Sequence, residues 1–184
     1  MDKQPKILKE EIVADMNVFK VAKVDLEFNG RMMHHSVVRF CGTASVLPVT
    51  KSGKFLLERQ FRTPTNSVLI EVPAGKTEKD EPAEECIRRE IEEETGCRAA
   101  EIREVFKAYT TCGCSDEFMH YFIAKVEPLS ESEREHFPDE DESISLFEVS
   151  PDEAVGMIKR GEIIDAKTIT LIAAYKAGMA CFED

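Results

Sequence analysis

The stretch from Gly75 to Cys97, GKTEKDEPAEECIRREIEEETGC, constrains the fold more than any other part of the chain. Apolar side chains recur four residues apart, at Ala83, Ile87 and Ile91. This spacing predicts an amphipathic helix that buries one stripe against a core.

The residues at both ends of this predicted helix are of types that favour helix termini. Pro82 suits the first helical turn, with Asp80 or Glu81 predicted as the cap. Gly96 suits the left-handed residue just past the helix end. The stretch therefore predicts a tight loop, a helix and a stop.

A second face of the predicted helix is acidic. Glu90, Glu93 and Glu94 are three or four residues apart and lie side by side, where like charges repel. Arg89 can pair with Glu93 one turn on. Such a face of hard oxygen ligands suits Mg²⁺ or Mn²⁺ and, through the ion, a phosphate substrate. The alternative is an ordinary solvated acidic face.

The full spacing of this stretch resembles the Nudix box, G-x5-E-x7-R-E-U-x-E-E-x-G-U, in which U is apolar. The matching residues are Gly75, Glu81, Arg89, Glu90, Ile91, Glu93, Glu94, Gly96 and Cys97. The resemblance to the Nudix hydrolases implies an α/β fold, an α/β/α sandwich with a mixed sheet. It also implies metal-dependent cleavage of a nucleoside diphosphate linked to another moiety.

The residues before the box extend the resemblance. Arg59 and Arg62 lie near the end of a predicted strand and suit bidentate phosphate contacts, although they can also be ordinary exposed arginines. The motifs QFR and LIEVPAG resemble the ADP-ribose pyrophosphatase branch of the family. That branch implies a metal ligand at the Ala74 carbonyl. It implies substrate or dimer-interface contacts at Arg62 and Glu71, and Arg59 joins them in the predicted substrate-binding set.

The resemblance also implies roles for the acidic residues. Glu90, Glu93, Glu94 and the Ala74 carbonyl would hold the ions, with Glu93 in the catalytic set, and Arg89 would orient the carboxylates.

An acidic stretch, residues 129–143, adds two further candidates. In the resembled branch an E-x-E there supplies the catalytic base and a metal ligand, so Glu140 is predicted as the base and Glu142 as the ligand. The alternative is that both are ordinary solvated acids.

One departure from the branch affects the predicted substrate. The branch usually has S-P-G-x-S-x-E, whereas Thr111–Glu117 reads TCGCSDE, with Cys112 in place of proline. ADP-ribose, cleaved to AMP and ribose 5-phosphate, is the leading substrate. GDP-mannose or another nucleotide sugar is the alternative, and a non-catalytic nucleotide-binding regulator is a second one.

Composition excludes several other classes. The net charge of −12 disfavours binding to nucleic acid polymers, which recruit basic patches. No apolar run reaches the length of a membrane span, and the N-terminus has no signal-peptide core, so a cytoplasmic protein is predicted. The six cysteines are interpreted as reduced thiols, with a zinc or redox role for Cys112 and Cys114 as the lesser alternative.

The rest of the chain suggests two regions. Residues 18–40 look like a β-hairpin turning at Asn29-Gly30, within an N-terminal β segment over residues 1–42. Residues 43–184 form the predicted Nudix domain, which closes with helices capped by Ser150 and Asp165. The resemblance implies a homodimer with the N-terminal segment in its interface.

Overall fold

The computed structural model describes residues 4–130 and 144–182. Within them the strands are β1 (Lys6–Asp15), β2 (Phe19–Phe28), β3 (Arg31–Phe40), β4 (Thr43–Thr50), β5 (Phe55–Arg62), β6 (Ser67–Glu71), β7 (Ala74–Lys76), β8 (Cys97–Tyr109), β9 (Phe118–Pro128) and β10 (Ile144–Val149). The α-helices there are α1 (Ala83–Thr95), α2 (Pro151–Arg160) and α3 (Ala166–Lys176).

The strands form two sheets. Strands β1, β2 and β3 make an antiparallel sheet in that order. The other seven form a mixed sheet with the order β10-β5-β4-β9-β8, in which β6 also pairs with β5 and β7 with β4. The predicted α/β class, with a separate small β sheet at the N-terminus, is confirmed.

The chain divides into two compact units. One comprises Met1–Gly42 and Ala108–Met119, and the other Thr43–Lys107 and His120–Asp184. The segment from 108 to 119 contains the tip of the β8–β9 hairpin. It groups with the N-terminal strands although it lies far from them in sequence.

Within the smaller unit, the predicted hairpin turn is confirmed. Asn29 and Gly30 have φ angles of 52° and 74°, the pair of left-handed residues that a two-residue type I′ turn requires. The sequence analysis did not predict β1, whose pairing with β2 contains two register irregularities.

Within the larger unit, side chains from alternate positions of β5 enter two different layers. Leu56 packs into the core cluster that holds Ile87 and Ile91 of α1. The neighbouring Phe55 faces the other way, where its ring meets Tyr175 of α3 edge-on at 4.9 Å. Helices α1 and α3 therefore cover opposite faces of the sheet, as the sandwich prediction requires.

The start of α1 corrects one prediction. Pro82 is itself the N-cap, and the structure shows no side-chain cap there, so the predicted capping by Asp80 or Glu81 is wrong. Glu81 closes the preceding loop instead: its carboxylate accepts from the Glu78 amide at 2.7 Å. Asp80 has a φ of 64° in that loop. Gly96 ends the helix with a φ of 61°, as predicted.

The two later helices begin as predicted. The Ser150 hydroxyl accepts from the Glu153 amide, and the Asp165 carboxylate accepts from the Thr168 amide. Among the described residues, none of the helices has the length and apolar character needed to cross a bilayer.

Candidate active site

Carboxylates of α1 and of the loop before it surround one arginine. Nη1 of Arg89 donates to Glu90 Oε1 at 2.7 Å and to Glu93 Oε2 at 3.0 Å. Its Nε donates to Glu81 Oε1 at 3.3 Å, in the loop before the helix. The predicted pairing of Arg89 with Glu93 is confirmed, and the guanidinium spans two further carboxylates. We call these four residues the box cluster.

The box cluster holds more negative than positive charge. It has three carboxylates and one guanidinium, which leaves two negative charges in excess. Burial alone would lower the pKa of Arg89, but its bonds to Glu81, Glu90 and Glu93 outweigh burial and raise it. The Glu78 amide and Arg89 lower the pKa of Glu81 against the opposing effect of burial. The arginine therefore stays charged.

Gly75 makes room for one of these carboxylates. A Cβ atom at this position would lie 1.9 Å from Glu90 Oε1 and 2.1 Å from its Cδ. Any larger residue would force the Glu90 carboxylate to move. The close approach of Glu90, a predicted metal ligand, thus explains a glycine at this position.

The Glu94 side chain is hydrogen-bonded to β7, the strand that precedes α1. This side chain is almost fully buried, and its Oε2 accepts from the Ala74 amide at 3.2 Å. Ala74 belongs to β7, where it pairs with Ser45 of β4. The structure thus brings together Glu94 and Ala74, both predicted metal ligands.

The predicted metal ligands fit a divalent cation by their chemistry. Three carboxylates and one carbonyl are the hard oxygen donors that Mg²⁺ and Mn²⁺ prefer. Across residues 4–130 and 144–182, no three His, Cys, Asp or Glu side chains are arranged to hold a metal ion. In the arrangement described, Glu90 and Glu93 bond to Arg89, and Glu94 bonds to the Ala74 amide.

The predicted substrate residues Arg62 and Glu71 are bonded to each other. Nε and Nη2 of Arg62 donate to the two oxygens of Glu71, each at 2.9 Å. Lys167 of α3 donates to the same carboxylate and lies 3.2 Å from Asp165 Oδ2. We call these four residues the β6 cluster.

Charge in the β6 cluster is balanced, and its central carboxylate is buried. Glu71 is 1% exposed. Burial would raise the pKa of Glu71, but the bonds from Arg62 and Lys167 outweigh burial, and the net shift is downward. The bond to Glu71 raises the pKa of Arg62. These bonds thus favour the ionised forms of Arg62 and Glu71.

Arg59 lies apart from Arg62. Because side chains alternate along a strand, residues three apart on β5 point to opposite faces. The Arg59 guanidinium carbon lies 3.9 Å from the ring centroid of Phe147 on β10. The two arginines that the sequence analysis grouped are therefore not brought together.

The loop in which cysteine replaces the usual proline is anchored within the smaller unit. Asp116 accepts from the Phe40 amide at 2.8 Å and from Arg39 Nη1 at 3.2 Å. The Val38 amide donates to the Cys114 carbonyl at 2.8 Å. Cys112 and Cys114 are both exposed, and all six cysteines are free thiols.

Two predicted site residues cannot be placed. Glu140 and Glu142 lie outside the described residues, so their roles as base and metal ligand stay predictions from the sequence.

Sequence reasoning missed the part played by the start of α3. Lys167 contacts Glu71, and the Thr168 hydroxyl accepts from the Val72 amide at 2.9 Å. The only available signal was the GEIIDAKTI run, which resembles the same branch but indicated only a helix cap.

Comparison with known proteins identifies the family. A model of the NUDIX domain matches residues 40–172. The ADP-ribose pyrophosphatase of Bacillus subtilis (strain 168) is 37% identical over 169 residues, which cover 89% of this chain and 90% of that protein.

Two other relatives are similar over comparable lengths. The methanol dehydrogenase activator of Bacillus methanolicus is 34% identical over 170 residues, covering 92% of this chain and 91% of the relative. The GDP-mannose pyrophosphatase of Escherichia coli O9:H4 (strain HS) is 35% identical over 186 residues, covering 94% and 95%.

A solved structure shares the fold. The crystal structure of an ADP compounds hydrolase superposes with a TM-score of 0.84 at 22% identity, covering 96% of this chain and 95% of that one. The domain match over most of the chain and the identities with these relatives show that the chain belongs to the Nudix family and is a Nudix hydrolase.

Proposed function

We propose that this protein hydrolyses the diphosphate bond of a nucleoside diphosphate sugar, with ADP-ribose cleaved to AMP and ribose 5-phosphate. The observation that carries the proposal is the grouping of the Glu81, Glu90 and Glu93 carboxylates around Arg89, beside Glu94 and its bond to the Ala74 amide. Carboxylate oxygens gathered at one place are the hard donors that a divalent cation prefers. The B. subtilis relative at 37% identity supports ADP-ribose as the substrate.

Nudix hydrolases generally need a divalent metal ion, and we propose Mg²⁺, with Mn²⁺ as an alternative. Glu90, Glu93, Glu94 and the Ala74 carbonyl would hold it, with Glu142 as a further ligand predicted from the sequence. When bound, such an ion neutralises charge on the diphosphate and lowers the pKa of a coordinated water molecule.

Arg89 orients the carboxylates in this proposal. Its Nη1 bridges Glu90 and Glu93, and its Nε fixes Glu81 in the preceding loop. A guanidinium that holds two carboxylates in one geometry reduces the reorganisation needed when a cation binds. Arg89 therefore acts on the geometry of the ligands.

Arg62 and Arg59 would contact the substrate. The Arg62 side chain is 34% exposed, and its bidentate pairing with Glu71 fixes the orientation of the guanidinium plane. A guanidinium held in a fixed plane and partly exposed suits a phosphate oxygen. Arg59, which stacks on Phe147, is proposed as the second substrate contact.

Glu140 is proposed as the general base. Water attacks phosphorus, the bond from phosphorus to the bridging oxygen breaks, and the carboxylate of Glu140 takes the proton of the attacking water. The products are two phosphate monoesters.

The test is phosphate release from a panel of nucleotide sugars with Mg²⁺ and added alkaline phosphatase, which acts on the monoester products and not on the intact diphosphate. We expect ADP-ribose to give the highest kcat/KM and a Glu93→Gln variant to give almost no release. Binding of ADP-ribose without hydrolysis by the wild-type protein would contradict the proposal and favour a nucleotide-binding regulator.

GDP-mannose is the second candidate substrate. Cys112 occupies the position of the proline in the resembled ADP-ribose branch, and the E. coli relative named for GDP-mannose is 35% identical. A higher kcat/KM for GDP-mannose than for ADP-ribose in the same panel would make it the substrate.

A homodimer is part of the proposal, with the N-terminal β segment in the interface. Strand β1 is the edge of its sheet, and exposed apolar residues lie on both of its faces: Ile7, Leu8, Ile12 and Val13. An exposed apolar edge strand is an aggregation hazard unless another chain covers it. Light scattering after size exclusion should give twice the mass of 20.8 kDa, and Ile12→Glu should shift the protein towards monomer.

We also propose that the protein works in the cytoplasm on a small-molecule substrate, without a nucleic acid polymer or membrane as partner. The net charge of −12 and the six free cysteines support this placement.

A further inference from the structure

The four residues from Glu71 to Ala74, which we call the EVPA segment, are held by β4, β5, α1 and α3 of the larger unit. Glu71 is bonded by Arg62 of β5 and by Lys167 of α3. The segment leads directly to the Ala74 carbonyl, the predicted metal ligand.

The other residues of the EVPA segment are bonded through the backbone. The Val72 amide donates to Thr168 Oγ1 at 2.9 Å, and the Pro73 carbonyl accepts from the Val46 amide at 3.0 Å. The Ala74 amide donates to Glu94 Oε2 at 3.2 Å. Strand β4 thus holds the segment at one edge, and α3 holds it through side chains of Lys167 and Thr168.

The two partners of the Thr168 hydroxyl determine which hydrogen bond it donates and which it accepts. It donates to Asp165 Oδ2 at 2.6 Å and accepts from the Val72 amide, and Thr168 is completely buried. Because a hydroxyl has one proton, its donation to the cap residue leaves a lone pair for the amide. Valine at this position would leave the buried Val72 amide without its acceptor.

The position of the Val72 amide affects the position of Ala74, because the backbone between them has little freedom. Only Pro73 lies between them, and its ring fixes φ near about −65°. A displacement of the Val72 amide would therefore move the Ala74 peptide, and with it the bond to Glu94. One hydrogen bond joins the start of α3 to the segment that carries Ala74, and a second joins that segment to Glu94.

We propose that Lys167 and Thr168 are positioning residues for the metal site, which set the place of the Ala74 carbonyl and the Glu94 carboxylate through the EVPA segment. This inference rests on the proposed function, in which Ala74 and Glu94 hold a divalent cation. It assigns to the N-terminal turn of α3 a role in metal affinity.

The test is the Kd for Mn²⁺ in the absence of substrate, measured by electron paramagnetic resonance titration of folded protein. Thr168→Val is expected to weaken binding by about 10- to 100-fold, as loss of an outer-shell contact does. Thr168→Ser keeps the hydroxyl and should restore the wild-type Kd. Thr170→Val is the matched control, because the exposed Thr170 hydroxyl bonds only to the Ala166 carbonyl of its own helix.

A second variant covers the case in which Thr168→Val does not fold. The Lys167 side chain is 12% exposed, and Lys167→Met keeps most of its length while removing its charge from Glu71. We expect this variant also to weaken Mn²⁺ binding, by less than Thr168→Val does.

The outcomes separate this inference from the proposed function. A wild-type Kd in folded Thr168→Val or, failing that variant, in Lys167→Met would overturn the positioning role and leave the proposed function intact. An absence of specific Mn²⁺ binding by the wild-type protein, with no difference in Glu93→Gln, would overturn both.

Discussion

The box cluster and the β6 cluster use the same kinds of side chain and differ in charge balance. The β6 cluster pairs two carboxylates, Glu71 and Asp165, with two cations, Arg62 and Lys167. The box cluster instead groups three carboxylates around Arg89.

This difference in charge indicates that the two clusters have different roles. Charges withdrawn from water are stable only when they are paired, and each charge of the β6 cluster has an opposite charge beside it. The box cluster is partly buried, with the Glu81 and Glu90 side chains 16% and 13% exposed, and its three carboxylates share the guanidinium of Arg89. We infer that the first cluster stabilises the fold and that the second requires a cation from solution.

The largest effect is expected from removing a charge of the box cluster. Glu93→Gln should lower kcat by about 10³-fold, because metal-mediated charge stabilisation is worth several kcal/mol. The steady-state rate with Mg²⁺ and ADP-ribose measures it. Glu92→Gln is the control, since Glu92 is exposed on the same helix and lies at an unrestricted position of the box. Equal rates in the two variants would remove the distinction between the clusters.

The corresponding change in the β6 cluster should act on stability. Glu71→Gln leaves Arg62 and the nearly buried Lys167 without their common carboxylate and should lower the free energy of unfolding by about 3 kcal/mol. Urea denaturation measures the change. Glu101→Gln is the control. It removes the exposed ion pair between Glu101 and Lys125, and we expect little change in the free energy of unfolding. An unchanged urea midpoint in Glu71→Gln would show that the β6 cluster is not a stabilising element.

A smaller effect is expected from displacing one ligand without removing it. Gly75→Ala would push the Glu90 carboxylate from its present place and should raise the Mg²⁺ concentration needed for half-maximal rate by about 10-fold or more. Gly113→Ala is the control, because a Cβ atom there meets nothing within 4 Å. If Gly75→Ala needed no more Mg²⁺ than the control, Glu90 would not be a ligand.

The smallest effect is expected in the pH dependence of folding stability under acidic conditions. The folded-state pKa of Glu71 lies below its ordinary value of 4.5. A carboxylate with a depressed pKa stabilises the fold above its unfolded pKa, and this contribution is lost as pH falls through the folded pKa. The stability gap between wild type and Glu71→Gln should therefore narrow below about pH 4.5, in urea titrations at a series of pH values. A constant gap would mean that Glu71 is not ionised in the folded protein.

Local features of the chain were predictable because neighbouring residues decide them. The turn at Asn29-Gly30, the stop at Gly96 and the cap at Ser150 depend on the backbone preferences and hydrogen bonds of a few consecutive residues. The buried stripe containing Ile87 and Ile91 follows from helical spacing in the same way.

Features that depend on contacts outside the element itself were missed. Strand β1 has no clear alternation and is defined by its pairing with β2, while the short β7 exists because β4 lies beside it. Pro82 was expected inside the helix, but the Glu78–Glu81 loop closes before it and makes it the cap.

The sequence by itself determined the family, the helix of the box and the identity of its acidic residues, since these depend on residue types at fixed spacing. Only the tertiary structure decided which charges balance each other. Arg62 meets Glu71 across paired strands, and Lys167 reaches the same carboxylate from a helix near the end of the chain. Such contacts form because folding brings separate elements together around a buried charge, and no local pattern records which elements those will be.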